Sequence, residues 1–177
     1  MSERWHWPMI RAAALAVALA VGQAAWAQGA PDFADYPGAA PFNGRNAAPI
    51  LATRDARLFR TKIREGARES PNFDGRYIVA TWGCGTDCET GAVIDAISGK
   101  VIWLPVVAGS PEDAGAEPAA HFHYRLDSCL LVMTGMIKEE PPMGTHYFVF
   151  DGAKLTPVKT IVKPERHRGS APSKKAQ

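Results

Sequence analysis

Cysteine is scarce in this chain: Cys84, Cys88 and Cys129 are the only three among 177 residues. None belongs to a Cys-x-x-Cys pair, so the usual spacing of a thiol-redox centre is missing. None lies near residue 28, which argues against a lipid anchor at that point, and the absence of an Arg-Arg pair argues against twin-arginine export. Beyond residue 28 no apolar run is long enough for a membrane-spanning helix. No Gly-x-Ser-x-Gly elbow frames a serine, so nothing marks a hydrolase nucleophile. Charge of one sign is lacking too, with 20 basic against 18 acidic residues. Phosphate-backbone recognition needs a concentrated basic surface, so no nucleic-acid partner is implied.

What is present begins with a leader. Arg4 and Arg11 flank the start of an apolar run from Ala12 to Val21, followed by Ala25-Trp26-Ala27, the small-x-small pattern of a signal-peptidase site. Residues 1–27 therefore read as a signal peptide cut after Ala27, and the chain as periplasmic or secreted. Removing Arg4, Arg11 and Glu3 with the leader leaves 18 basic against 17 acidic residues, and Trp82 and Trp103 as the only tryptophans. The remainder is of single-domain size. An exported compartment permits disulfides.

Residues 28–50 are rich in Ala, Pro and Gly and show neither helical nor strand period, which predicts an extended, partly disordered arm. A single globular domain is expected over 51–162, with a basic, disordered tail over 163–177. Thr53 is a helix N-cap with Asp55 in the first turn. Ala56, Phe59, Ile63 and Ala67 then recur at spacings of three and four, opposite Arg54, Arg57, Arg60, Arg64 and Arg68. That pattern predicts one amphipathic helix of about three turns, weakening at Gly66 and ended by Ser70-Pro71. The arginine row reads as a solvated face.

Strand signals follow over Arg76–Trp82, Ala92–Asp95, Lys100–Leu104, Phe122–Leu126, Cys129–Met136, Thr145–Phe150 and Lys154–Ile161, joined by turn pairs such as Asp127-Ser128 and Asp151-Gly152. The expected fold is α+β and mainly β: one N-terminal helix, then an antiparallel meander of about seven strands. Tyr77 and Val79 alternate with Ile78, Ala80 and Trp82, and Tyr147 and Val149 with Phe148 and Phe150, so both faces of the sheet need cover. A curled sheet or half-barrel satisfies that need. Residues 107–120 read as an acidic loop.

The densest local signal is Trp82-Gly83-Cys84-Gly85-Thr86-Asp87-Cys88-Glu89-Thr90-Gly91. Three cysteines allow three single pairings. The glycines around Cys84 favour a local Cys84–Cys88 bridge, leaving Cys129 as a free, buried thiol in an apolar strand. Trp82, Gly83, Gly85, Thr86, Asp87 and Glu89 then form a candidate binding loop. Pro71-Asn72-Phe73-x-Gly75-x-Tyr77, Thr81-Trp82-Gly83-Cys84-Gly85-x-x-Cys88 and Asp95 with Gly99-Lys100 resemble a family of small exported bacterial proteins of unknown function. The resemblance runs from Phe59 to Phe150. It implies a domain type and export, and brings no catalytic residue with it.

Two sharper chemistries use the same residues. His121 and His123 alternate along a strand and, with Cys84, Cys88, His146 and Met133 or Met136, offer soft copper ligands. Asp127 and Ser128 lie close to both histidines in sequence, but in an ordinary turn pair. The expectation is a non-enzymatic binding or inhibitor-type module with an envelope protein or polymer as partner, no cofactor and no catalytic residue. The alternative is a periplasmic copper or thiol-redox protein using Cys84, Cys88 and His121 or His123.

Overall fold

The computed structural model describes residues 29–109 and 120–163. Two short helices, α1 (Arg54–Leu58) and α2 (Arg60–Gly66), precede seven strands. These are β1 (Tyr77–Gly85), β2 (Cys88–Asp95), β3 (Val101–Ala108), β4 (Phe122–His123), β5 (Leu130–Ile137), β6 (Glu140–Phe150) and β7 (Leu155–Val162). All pair antiparallel in one sheet of order β1-β2-β3-β5-β6-β7, with β4 added against β5. The sheet is open: among the described residues no ladder joins β7 to β1.

A narrow seam divides it. β3 meets β5 only at Val107↔Ile137 and Ala108↔Met136, whereas β1–β2 and β5–β6 are paired along most of their length. The two halves bend toward each other about that seam. Tyr77 of β1 and Phe150 of β6, four strands apart in the sheet order, meet edge to face at 4.8 Å. Between the halves lies one apolar layer containing Tyr77, Val79, Val93, Leu104, Leu131, Met133 and Phe150.

The opposite faces carry separate cover, as the alternation demands. Behind β1 and β2, Ile78, Trp82, Ala92 and Ile94 pack against Ala56, Ile63 and Ala67 of the helical segment. Behind β5 and β6, Leu130, Val132 and Tyr147 pack against Phe33 and Tyr36.

Several elements differ from expectation for physical reasons. In place of one helix, the segment kinks at Phe59, whose ψ of 19° departs from helical geometry. The kink seats the Phe59 ring against Trp82 at 5.4 Å and Trp103 at 5.8 Å. Thr53 caps α1 through its hydroxyl to the Ala56 N–H at 3.1 Å. α2 ends at Gly66, where a β-carbon would strike that of Ala80 on β1. β3 continues past Pro105 to Ala108 because a bulge opposite Thr90 absorbs the proline. β6 begins at Glu140, after a two-residue turn in which Lys138 and Glu139 both take positive φ, 56° and 62°. The strand expected over Phe122–Leu126 shrinks to Phe122–His123.

The segment read as a partly disordered arm is extended but tied down. Gly38 N–H donates to Asp127 C=O, Phe42 to Gly75, Ala47 to Ala96 and Ile50 to Gly99, all within 2.8 Å. Gly75 (φ +70°) and Gly99 (φ +74°) are required where it crosses, because a β-carbon would collide with the carbonyls of Ala39 and Ala48 respectively. The expected leader and most of the basic tail lie outside the described residues. So does most of the acidic loop, apart from Val107 and Ala108 in β3, Gly109 and Ala120.

Candidate functional site at the β1–β2 tip

The turn Thr86-Asp87 joins β1 to β2, and β3 flanks β2 up to Cys88, which pairs with Ala108. Cys84 and Cys88 stand at disulfide distance there, with Cα atoms 5.2 Å apart. Gly83 to Asp87 are exposed without interruption, while Trp82 at the root of the tip is buried. Asp87 takes a positive φ of 53°. Its carbonyl accepts from the Gly109 N–H at 2.9 Å, which fixes the turn to the end of β3.

A buried histidine lies against the tip. His121 Nδ1 sits 2.9 Å from the Thr134 carbonyl, so that nitrogen carries the proton and donates. Its Nε2 faces the Asp87 carboxylate at 3.8 Å. The His121 N–H donates to Glu89 Oε2 at 3.2 Å, and the His121 carbonyl accepts from Thr134 N–H. The tip is thus attached to β5 through one residue. Burial, with the Glu89 carboxylate second, pushes the Tyr124 phenol above its ordinary value.

Of the candidate loop residues, Gly83, Gly85, Thr86 and Asp87 form the exposed surface. Trp82 belongs to the core beside the helices, and half-buried Glu89 points toward His121. The copper candidates do not converge. His123 is exposed, whereas His121 is 7 % exposed under the tip. His146 is buried between β5 and β7: its Nε2 donates to the Gly135 carbonyl at 3.0 Å and its Nδ1 accepts from the Thr160 hydroxyl at 3.2 Å. Both of its ring nitrogens are therefore engaged within the fold. Met133 is fully buried in the inner layer. Among the described residues, no group of three or more His, Cys, Asp or Glu side chains is placed to hold a metal ion.

Ser128 and Asp127 are structural. The Ser128 hydroxyl is wholly buried and faces the carbonyls of Phe33 at 2.9 Å and Tyr36 at 2.7 Å, while accepting from Leu130 N–H. Asp127 is held by Arg125 through both carboxylate oxygens at 2.9 and 2.7 Å. That hydrogen bonding keeps its carboxyl below the usual range. Cys129 is half-buried rather than buried, because the arm covers only one side of it, and its Sγ lies 3.7 Å from the Tyr36 carbonyl.

The role of His121 had a sequence signal only in its proximity to a strand. The partners that matter, Asp87, Glu89 and Thr134, come from other hairpins. Comparison of the chain with protein-family models, with curated proteins and with solved structures finds no match.

Proposed function

We propose that this protein is an exported, non-enzymatic binding module that presents the Gly83–Glu89 tip to an envelope partner. One observation carries this reading. The tip is exposed, yet it is fixed at three points: the Cys84–Cys88 pair, the Gly109 N–H on the Asp87 carbonyl, and the His121 backbone N–H on the Glu89 carboxylate. A surface loop ordered in advance loses little conformational freedom on association, which is what a recognition element requires. The cysteine pairing fits an oxidising compartment, in keeping with the leader at residues 1–27.

The test is photo-crosslinking in the bacterial envelope from a probe at exposed Gly83, just outside the stretch to be replaced. A discrete adduct is expected that disappears when residues 84–88 are replaced by a plain two-residue turn. The same adduct persisting without the tip would refute the assignment. So would turnover of a defined substrate abolished by a point change at His121, His123 or Ser128. Export itself is checked by intact mass: envelope-fraction protein is expected to begin at Gln28.

A further inference from the structure

We propose a second ligand site at the other end of the first hairpin, specific for a saccharide carrying two or more phosphate groups. The site is a cleft of about 1040 Å³ between the arm at residues 41–49, the C-terminal end of α2 and residues 69–71. Its volume is that of a small-molecule pocket. β1 separates it from the tip by roughly 26 Å at the usual rise per strand residue, so the inference does not depend on the tip's role.

The cleft is built rather than incidental. The Asn46 side-chain amide donates to the carbonyls of Ala67 at 3.0 Å and Glu69 at 2.7 Å, holding the arm across the helix end. The arm is fixed on either side by Phe42 N–H to Gly75 C=O and Ala47 N–H to Ala96 C=O. Between those anchors it arches, and Arg45 lines the space beneath together with Arg64 and Arg68, four residues apart in sequence on the facing wall. None of these three guanidinium groups has an ion-pair or hydrogen-bond partner among the described residues. Arg76 by contrast pairs with Asp95, Arg125 with Asp127 and Lys62 with Glu65. Glu69 is the one acidic residue of the lining.

Three unpaired planar forks around one cavity match several oxyanions rather than one, and guanidinium suits phosphate geometry in particular. The rest of the lining includes Pro41, Pro49, Pro71, Phe42 and Leu126, with Asn43 among them. Such a surface receives the C–H face of a sugar ring and a hydroxyl. Free oligophosphate shares the charge but not the ring.

The experiment titrates the mature protein with glucose 1,6-bisphosphate and, separately, with inorganic tripolyphosphate, reading heat of binding and the shift in melting temperature. The sugar bisphosphate is expected to bind and to raise the melting temperature. The triple variant Arg45→Gln, Arg64→Gln, Arg68→Gln is expected to weaken it about tenfold or more. The control variant Arg54→Gln, Arg57→Gln, Arg60→Gln removes the same charge outside the cleft and is expected to change affinity less than about twofold. Equal loss in both variants would reduce the effect to diffuse surface charge and overturn the site. Absence of binding by both probes would do the same. Tripolyphosphate binding as tightly as the sugar bisphosphate would overturn the saccharide assignment.

Discussion

Ser128 has a single proton and two carbonyls to share it between, so its hydroxyl works as a clasp on the arm at Phe33 and Tyr36. Ser128→Ala strips the clasp: the two carbonyls keep only their backbone donors, Tyr36 N–H and Cys129 N–H, and Leu130 N–H loses the hydroxyl as acceptor. The expected cost is about 1–3 kcal/mol, read as a lower midpoint in urea with an unchanged slope. Asn72 works comparably at the sheet edge: its amide donates to the Val79 carbonyl at 3.2 Å and accepts from Val79 N–H at 2.8 Å. It pairs the outer side of β1 as a neighbouring strand would, protecting an edge otherwise open to association. Cys129 is the third informative residue. Burial first, and then the Asp74 carboxylate, push its thiol above the ordinary value, because both disfavour the thiolate. Iodoacetamide labelling of the folded protein is therefore expected to proceed, since the thiol is half-buried. Its rate should rise with pH through a midpoint above that of a free cysteine peptide; a midpoint below it would contradict the environment described.

At the scale of elements, the tip behaves as a locally closed loop at the end of a hairpin that β3 flanks along β2. A bridge spanning four residues constrains little of the unfolded chain, so Cys88→Ser is expected to cost no more than about 2 kcal/mol. Amide exchange should quicken at Gly83–Glu89 while β5 and β6 keep their protection; global loss of protection would show the bridge to be structural for the whole sheet. The strands that were legible in sequence have strict alternation on both faces. Tyr77 and Val79 against Ile78 and Trp82 predicted the two layers that are found. Elements that escaped the reading broke a local rule. Pro105 hid the end of β3 in a bulge, and Lys138-Glu139 adopts a turn conformation usually signalled by Asn-Gly. The helix kink at Phe59 answers to Trp82 and Trp103, residues on two different strands, so no local pattern announces it. The local part of the tip, its cysteines and glycines, was readable, while its attachment to His121 depends on contacts 32 to 34 residues away in sequence.

At the scale of the whole molecule the arm is a third wall. Phe33 and Tyr36 cover one half of the sheet, while Phe42 and Leu51 pack beside the helices behind the other. Composition alone suggested disorder because the arm has few apolar groups and no period; its order comes from backbone hydrogen bonds to three turns formed elsewhere in the chain. A chain beginning at residue 51 is therefore expected to expose the Leu130–Val132–Tyr147 face and to bind a hydrophobic dye, with a melting temperature well below that of the chain beginning at residue 28. Equal melting temperatures would mean that the arm is only an appendage. The arm's placement also sets the order of events during biogenesis. Its residues are made before the sheet they cover, and Ser128 lies 95 residues after Phe33. Until that later stretch has emerged from the ribosome, the arm has no seat. It then waits without its partners and closes over the finished sheet late in folding.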